Sequence, residues 1–259
     1  MVVTDATIHE MINGFMFPLM RISSALMVLP LYGNRMLPAR IRIALVLVLV
    51  AVIAPMIEVP AHGEIGSWLG AGIIVQEILV GLLIGLGINV VFSAIIHGAQ
   101  IIAMQMGLGF ASMIDPANGI NVPVLSQFYI VLATLLFMST NAHLGVLSAI
   151  LESYRIVPIG SLALANIGIT DIVYIGKVML EMAVLLALPI VTALLIINLA
   201  FGVMARAAPQ LNIFAVGFPL TMLGGFVLML ITLEGMVSRM TLLVVDGWQP
   251  LVARLLGAG

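Results

Sequence analysis

Two ionisable side chains sit inside otherwise apolar runs, Arg21 and Glu77. A carboxylate at such a depth either relays protons or pairs with a charge or hydrogen-bond partner. Arg21 is the natural opposite charge for Glu77, although nothing in the sequence brings them together. From Glu77 onward every fourth residue is small or polar: Gly81, Gly85, Asn89, Ser93 and His97. On a straight helix each such step drifts by about 40°, so the stripe winds around the axis. Small residues at this spacing let helix backbones approach closely. Alternatively, Asn89, Ser93, His97 and Gln100 line a water-filled path. Both readings require protein rather than lipid on that face.

Other chemistries lack their residues. The chain has no cysteine, which excludes disulfides, thiolate catalysis and cysteine-held metals. Four histidines (His9, His62, His97 and His143) are scattered without ligand spacing, so neither a metal nor a cofactor is expected. Met104 and Met106 fall on roughly opposite helix faces, which weakens any thioether metal site. Gly81, Gly85 and Gly87 lie inside an apolar helix, where no free amides remain to cradle a phosphate. No paired carboxylates and no nucleophile–base pair occur in a plausible setting. An enzyme is not expected.

The elements that would carry these residues are membrane-type helices. Of the 259 residues 63% are hydrophobic and 8% charged, with a mean hydropathy of +1.29. A soluble domain carries about 25% charged residues, so lipid or apolar subunits must be the solvent here. A net charge of −2 offers no general attraction to nucleic acid. No Lys or Arg precedes Arg21, so the first apolar stretch is expected to be retained rather than cleaved as a signal peptide. A span needs about 20 apolar residues. Six stretches meet or approach that length: 11–31, 41–57, 65–96, 124–150, 182–205 and 213–233. Placing the basic turn Arg35, Arg40, Arg42 and the turn at Arg206 in the cytoplasm puts both termini outside. Residues 64–105 contain no proline, and as one helix would run about 60 Å, twice a bilayer core.

The segment 97–123 is dense in breakers: Gly107, Gly109, Asp115-Pro116, Asn118-Gly119 and Pro123. It also carries Met104, Met106, Phe110, Met113 and Ile114, which a solvated loop would not need. Irregular backbone at membrane depth is tolerated only against protein or a cavity. Flexible thioethers suit a seal that must deform. A re-entrant loop that simply packs is the equal alternative.

Four stretches carry a family resemblance: the basic turn Asn34–Arg42, the helix Gln76–Gly85, the loop Met106–Pro116, and Ala205–Pro219 with its Arg206-x-x-Pro209-Gln210-x-Asn212-Ile213-Phe214 run. Together they make the chain resemble the FliR family of the flagellar type III export gate, whose relatives serve virulence injectisomes. The resemblance implies an all-α, polytopic protein of the bacterial inner membrane and flagellar basal body, with helical hairpins, kinked helices and a central re-entrant loop. It implies a helical multi-subunit gate built with FliP and FliQ around a channel for unfolded export substrates. It also implies a FliP-like region over 1–176 and a FliQ-like hairpin and tail over 177–259. The loop 106–123 would be the channel plug, with Met106, Gly107, Gly109, Phe110, Met113, Ile114 and Asp115. Arg206, Pro209, Gln210 and Asn212 would lie near the cytoplasmic partner FlhB, with FlhA as a further partner.

A rival class is a secondary transporter with a midplane polar site at Glu77, Asn89 and His97. It would show internal pseudo-symmetry, which the sequence does not display.

Overall fold

The computed structural model describes residues 5–30, 38–57, 67–108, 124–161, 168–207 and 213–257. Among them stand eight α-helices and no strand: α1 (Asp5–Val28), α2 (Ala39–Ile53), α3 (Trp68–Gln105), α4 (Val124–Ser139), α5 (Ala142–Ile156), α6 (Ile169–Ala207), α7 (Ile213–Val245) and α8 (Gln249–Leu255). The protein is all-α and polytopic. Four helical stretches are long and apolar enough to span a membrane: Ala39–Met56, Trp68–Gln105, Thr170–Ala207 and Gly217–Leu255. A fifth arises if the bent pair α4–α5 counts as one. Six spans were expected. The sixth stretch is in α1, whose apolar part, Ile12–Val28, is shorter than the others.

Local chemistry sets the helix ends. Ser67 accepts the Gly70 amide at 3.0 Å and so caps α3. The stretch expected as one span over 124–150 is broken, with α4 and α5 meeting at 70°. The break falls on Ser139, Thr140 and Asn141. The first two hydroxyls bond back to the Leu136 carbonyl (3.2 and 2.7 Å), and Asn141 turns left-handed at φ 57°. Short polar side chains compete with helical bonding in this way, and Asn tolerates the left-handed region. In α6, Pro189 has no amide to give the Leu185 carbonyl. Arg239 of α7 donates to that oxygen from Nη1 at 3.0 Å.

The chain divides into two compact units. One comprises residues 1–90, 141–175 and 246–259. Its core includes Phe17, Ile22, Val80, Ile84, Ile150 and Leu251. Here Arg254 of α8 pairs with Asp171 at 2.9 Å and lies over the Tyr174 ring. The other comprises residues 91–140 and 176–245. Its core includes Phe92 and Phe137, edge to face at 5.6 Å, with Ile102, Leu186 and Met240. The long helix α3 supplies buried residues to both units. Most of its apolar stretch is buried, against about a fifth for α6 and for Gly217–Leu255. Leu195, Ile196 and Leu199 on α6, and Leu223, Leu230 and Ile231 on α7, are exposed.

Candidate functional site

Arg21 and Glu77 meet in the first unit, both fully buried, at 0% exposure. Their helices can approach because α3 presents glycines. A Cβ on Gly81 would collide with Ser24 Oγ and the Arg21 carbonyl. One on Gly85 would stand 2.7 Å from the Ala25 carbonyl and 2.8 Å from Val28 Cβ. One turn on, Asn89 Nδ2 donates to the Val28 carbonyl at 2.9 Å. The stripe residues Gly81, Gly85 and Asn89 therefore lie along α1, and Glu77 begins the same seam.

The guanidinium grips the carboxylate with two parallel bonds, Nε to Oε2 and Nη2 to Oε1, each 2.8 Å. Its Nη2 also donates to the Val157 carbonyl at 2.9 Å, and Nη1 donates to Ser153 Oγ at 3.1 Å. Ser153 in turn donates to the Ile150 carbonyl at 2.6 Å. The Tyr154 ring covers the guanidinium, with Cζ 4.0 Å from its centroid. Nearby, Gln76 donates to the Pro158 carbonyl at 3.2 Å. Four of the five guanidinium N–H groups thus have acceptors, and both carboxylate oxygens are engaged. Such a pair is tolerated only when geometry and extra hydrogen bonds offset desolvation, as they do here. The arrangement ties α1, α3 and α5 at one point. Both Glu77 oxygens are engaged by Arg21, and the carboxylate is fully buried.

Further along α3 the stripe reaches His97, which is exposed and whose Nδ1 lies 2.7 Å from the Ser93 carbonyl. A carbonyl only accepts, so Nδ1 carries the proton. Glu77 and His97 are twenty residues apart on one helix, about 30 Å by helical rise. Glu77, Asn89 and His97 are therefore not gathered into one polar site.

The stem of the glycine-rich loop lies in the second unit. There α3 closes with the Gly107 amide donating to Met104 (3.0 Å) and the Leu108 amide to Ala103 (2.9 Å), Gly107 having φ 83°. This paired 5→2 and 6→1 bonding is a Schellman end, which favours glycine at that residue. Met106 is fully buried against Gly225 of α7, and Gly107 faces the ring of Phe218. Gly109, Phe110, Met113, Ile114 and Asp115 lie outside the described residues. Arg206 is exposed in the last turn of α6, while Pro209, Gln210 and Asn212 lie outside the described residues.

Sequence reasoning did not find Ser153, Tyr154 and the Val157 carbonyl, which complete the Arg21 site. The available signal was a Ser-Tyr pair at the end of an apolar helix, too common to select. It also did not find Arg239, though an arginine in an apolar helix opposite a helix with an internal proline was visible. Among the described residues no cluster of three or more His, Cys, Asp or Glu could hold a metal.

A family model described as bacterial export proteins, family 1, matches residues 12–246. The chain is 36% identical to the flagellar biosynthetic protein FliR of Escherichia coli K12 over 221 residues, 84% of this chain and 83% of that one. It is 35% identical to FliR of Pectobacterium carotovorum over 217 residues, covering 83% and 82%. With FliR of Bacillus subtilis it shares 32% over 232 residues, covering 88% and 89%. The chain belongs to this family of bacterial export proteins, among whose members these FliR proteins stand.

Proposed function

We propose that this chain is a wall subunit of the flagellar protein export gate, joining FliP and FliQ around a channel for unfolded export substrates in the bacterial inner membrane. As a FliR relative with several apolar helices of spanning length, the chain is a membrane-embedded component of the flagellar export apparatus. In this reading residues 1–176 form a FliP-like wall element and 177–259 a FliQ-like hairpin. The segment 106–123, with Gly109, Phe110, Met113, Ile114 and Asp115, is the compliant seal. Arg206, Pro209, Gln210 and Asn212 form the cytoplasmic contact with FlhB, with FlhA nearby.

The observation that carries the reading is the pairing of family membership with two long, outwardly apolar helices. At about 1.5 Å per residue, α6 and α7 run about 58 and 50 Å, against about 30 Å of hydrocarbon. Among the described residues Leu195, Leu199, Leu223 and Leu230 on these helices are exposed. Large uncovered apolar surface reaching past the lipid calls for protein neighbours. The test is expression of the tagged chain with its two small apolar partners. A stable complex is expected, and deletion of 110–114 should leave assembly intact while the resting membrane leaks ions. A correctly assembled deletant in a tight membrane refutes the seal. A chain that purifies alone as a stable monomer refutes the wall subunit.

A further inference from the structure

We infer that Gly225 and Phe218 of α7 are positioning residues for the seal, fixing its root through Met106 and Gly107. The inference rests on the reading of 106–123 as the seal, and concerns what holds that segment in place.

The sequence treats Met106 as one of several compliant thioethers of the loop. The structure gives it another part. It is fully buried, and its side chain fills the notch left by the missing side chain of Gly225. A Cβ on Gly225 would stand 2.5 Å from Met106 Cγ and 2.8 Å from both Sδ and Cε. The next residue, Gly107, rests on Phe218, where an added Cβ would lie 2.7 Å from two ring carbons. Phe218 and Gly225 are seven residues apart, two helical turns, and so share one face of α7. Met106 and Gly107 thus dock side by side on a single strip of that helix. The Schellman end fixes the direction in which the chain leaves α3.

The other border of the loop is tied to the same helix. Just beyond residue 123 begins α4, which packs along α7. There Tyr129, fully buried, donates its hydroxyl to the thioether of Met236 at 3.1 Å. Both stems of 109–123 therefore stand on α7, and the position of that helix sets where the segment begins and ends. Met106 and Gly107 are locked in place on α7.

The neighbouring glycine supplies the control. A Cβ on Gly224 meets only Ile197 Cδ1, at an ordinary 3.5 Å. Gly224→Ala and Gly225→Ala remove the same backbone freedom from α7, but only the second displaces Met106. In cells carrying the full gate, with assembled complex quantified by pull-down, Gly225→Ala is expected to raise resting ion leak several-fold. Gly224→Ala should leave it unchanged. Phe218→Ala, which removes the platform without adding volume, should also leak, and covers the case in which Gly225→Ala fails to assemble. Tight membranes with assembled Phe218→Ala, or equal leak from both glycine variants, would overturn the inference. If deletion of 110–114 leaks while Gly225→Ala and Phe218→Ala stay tight, the seal stands and only its anchoring on α7 falls. If the deletant is tight, the seal itself falls.

Discussion

Arg239 of α7 takes the place of the amide that Pro189 of α6 lacks, donating to the Leu185 carbonyl at 3.0 Å. A helix interior proline usually leaves such an oxygen unsatisfied or bends until something else reaches it. Here a charged donor from the facing helix completes the bond, so the proline site in α6 and its contact with α7 are one interaction. In a membrane-embedded hairpin this also gives the arginine a defined acceptor.

The first prediction follows from that substitution of donors. Arg239→Met should lower stability by about 1.5 kcal/mol, the low end for a hydrogen bond involving a charged group, as its exposed position implies. Pro189→Ala restores the helical amide, so Arg239→Met should cost much less in that background. Thermal denaturation of the purified gate with the four members of the double-mutant cycle checks this. Additive effects would rule out the proposed exchange.

A second prediction concerns the buried pair. Arg21→Met or Glu77→Leu alone leaves an uncompensated buried charge and should destabilise by about 3 to 5 kcal/mol. The double variant Arg21→Met/Glu77→Leu should regain most of that loss, because it removes both charges from an apolar setting. Accumulation in the membrane and resistance to protease report it. If Glu77 instead relays protons, Glu77→Gln with normal accumulation would abolish function; the pair predicts that accumulation falls first.

The third prediction separates close packing from helix propensity. Ala normally stabilises a helix interior over Gly by up to about 1 kcal/mol. Gly72→Ala and Gly81→Ala lie in the same helix, and a Cβ on Gly72 meets nothing within 4 Å. Gly72→Ala should therefore be neutral or stabilising. Gly81→Ala, pressed on Ser24 and the Arg21 backbone, should disrupt the Arg21 site and the complex with it. Equal behaviour of the two in a melting experiment would refute the seam.

The fourth prediction bears on the 70° bend between α4 and α5. Asn141→Gly should be tolerated, since glycine adopts positive φ freely. Asn141→Val should cost roughly 1 to 2 kcal/mol, the penalty of a left-handed conformation for an ordinary side chain. Comparison of melting temperatures decides it.

Helices, their apolar character and the breaker-rich stretch after Gln105 are legible in the sequence, because each depends on local composition and period. The bend at Asn141 is visible in outline as three consecutive polar residues, yet nothing local says they end a helix. Glu77 and Arg21 each announce themselves as misfits. That they meet depends on a register between α1 and α3 set 56 residues apart, through glycines whose partner the sequence does not name. Ser153 and the Val157 carbonyl add a third element and are beyond any local rule. Met106 is the converse case: its type suggests softness, and only the notch at Gly225 reveals that it is held.

The length of α6 has a further consequence for where the chain is content to be alone. A 39-residue apolar rod, about 58 Å long, in a bilayer about 30 Å thick must tilt steeply or drag the surrounding lipid out of shape. That elastic distortion is a standing free energy of the unassociated chain, and it vanishes when neighbours cover the excess. Bilayer thickness therefore acts as a thermodynamic lever on association: thinner lipid should drive the subunits together, and thicker lipid should let the solitary chain persist.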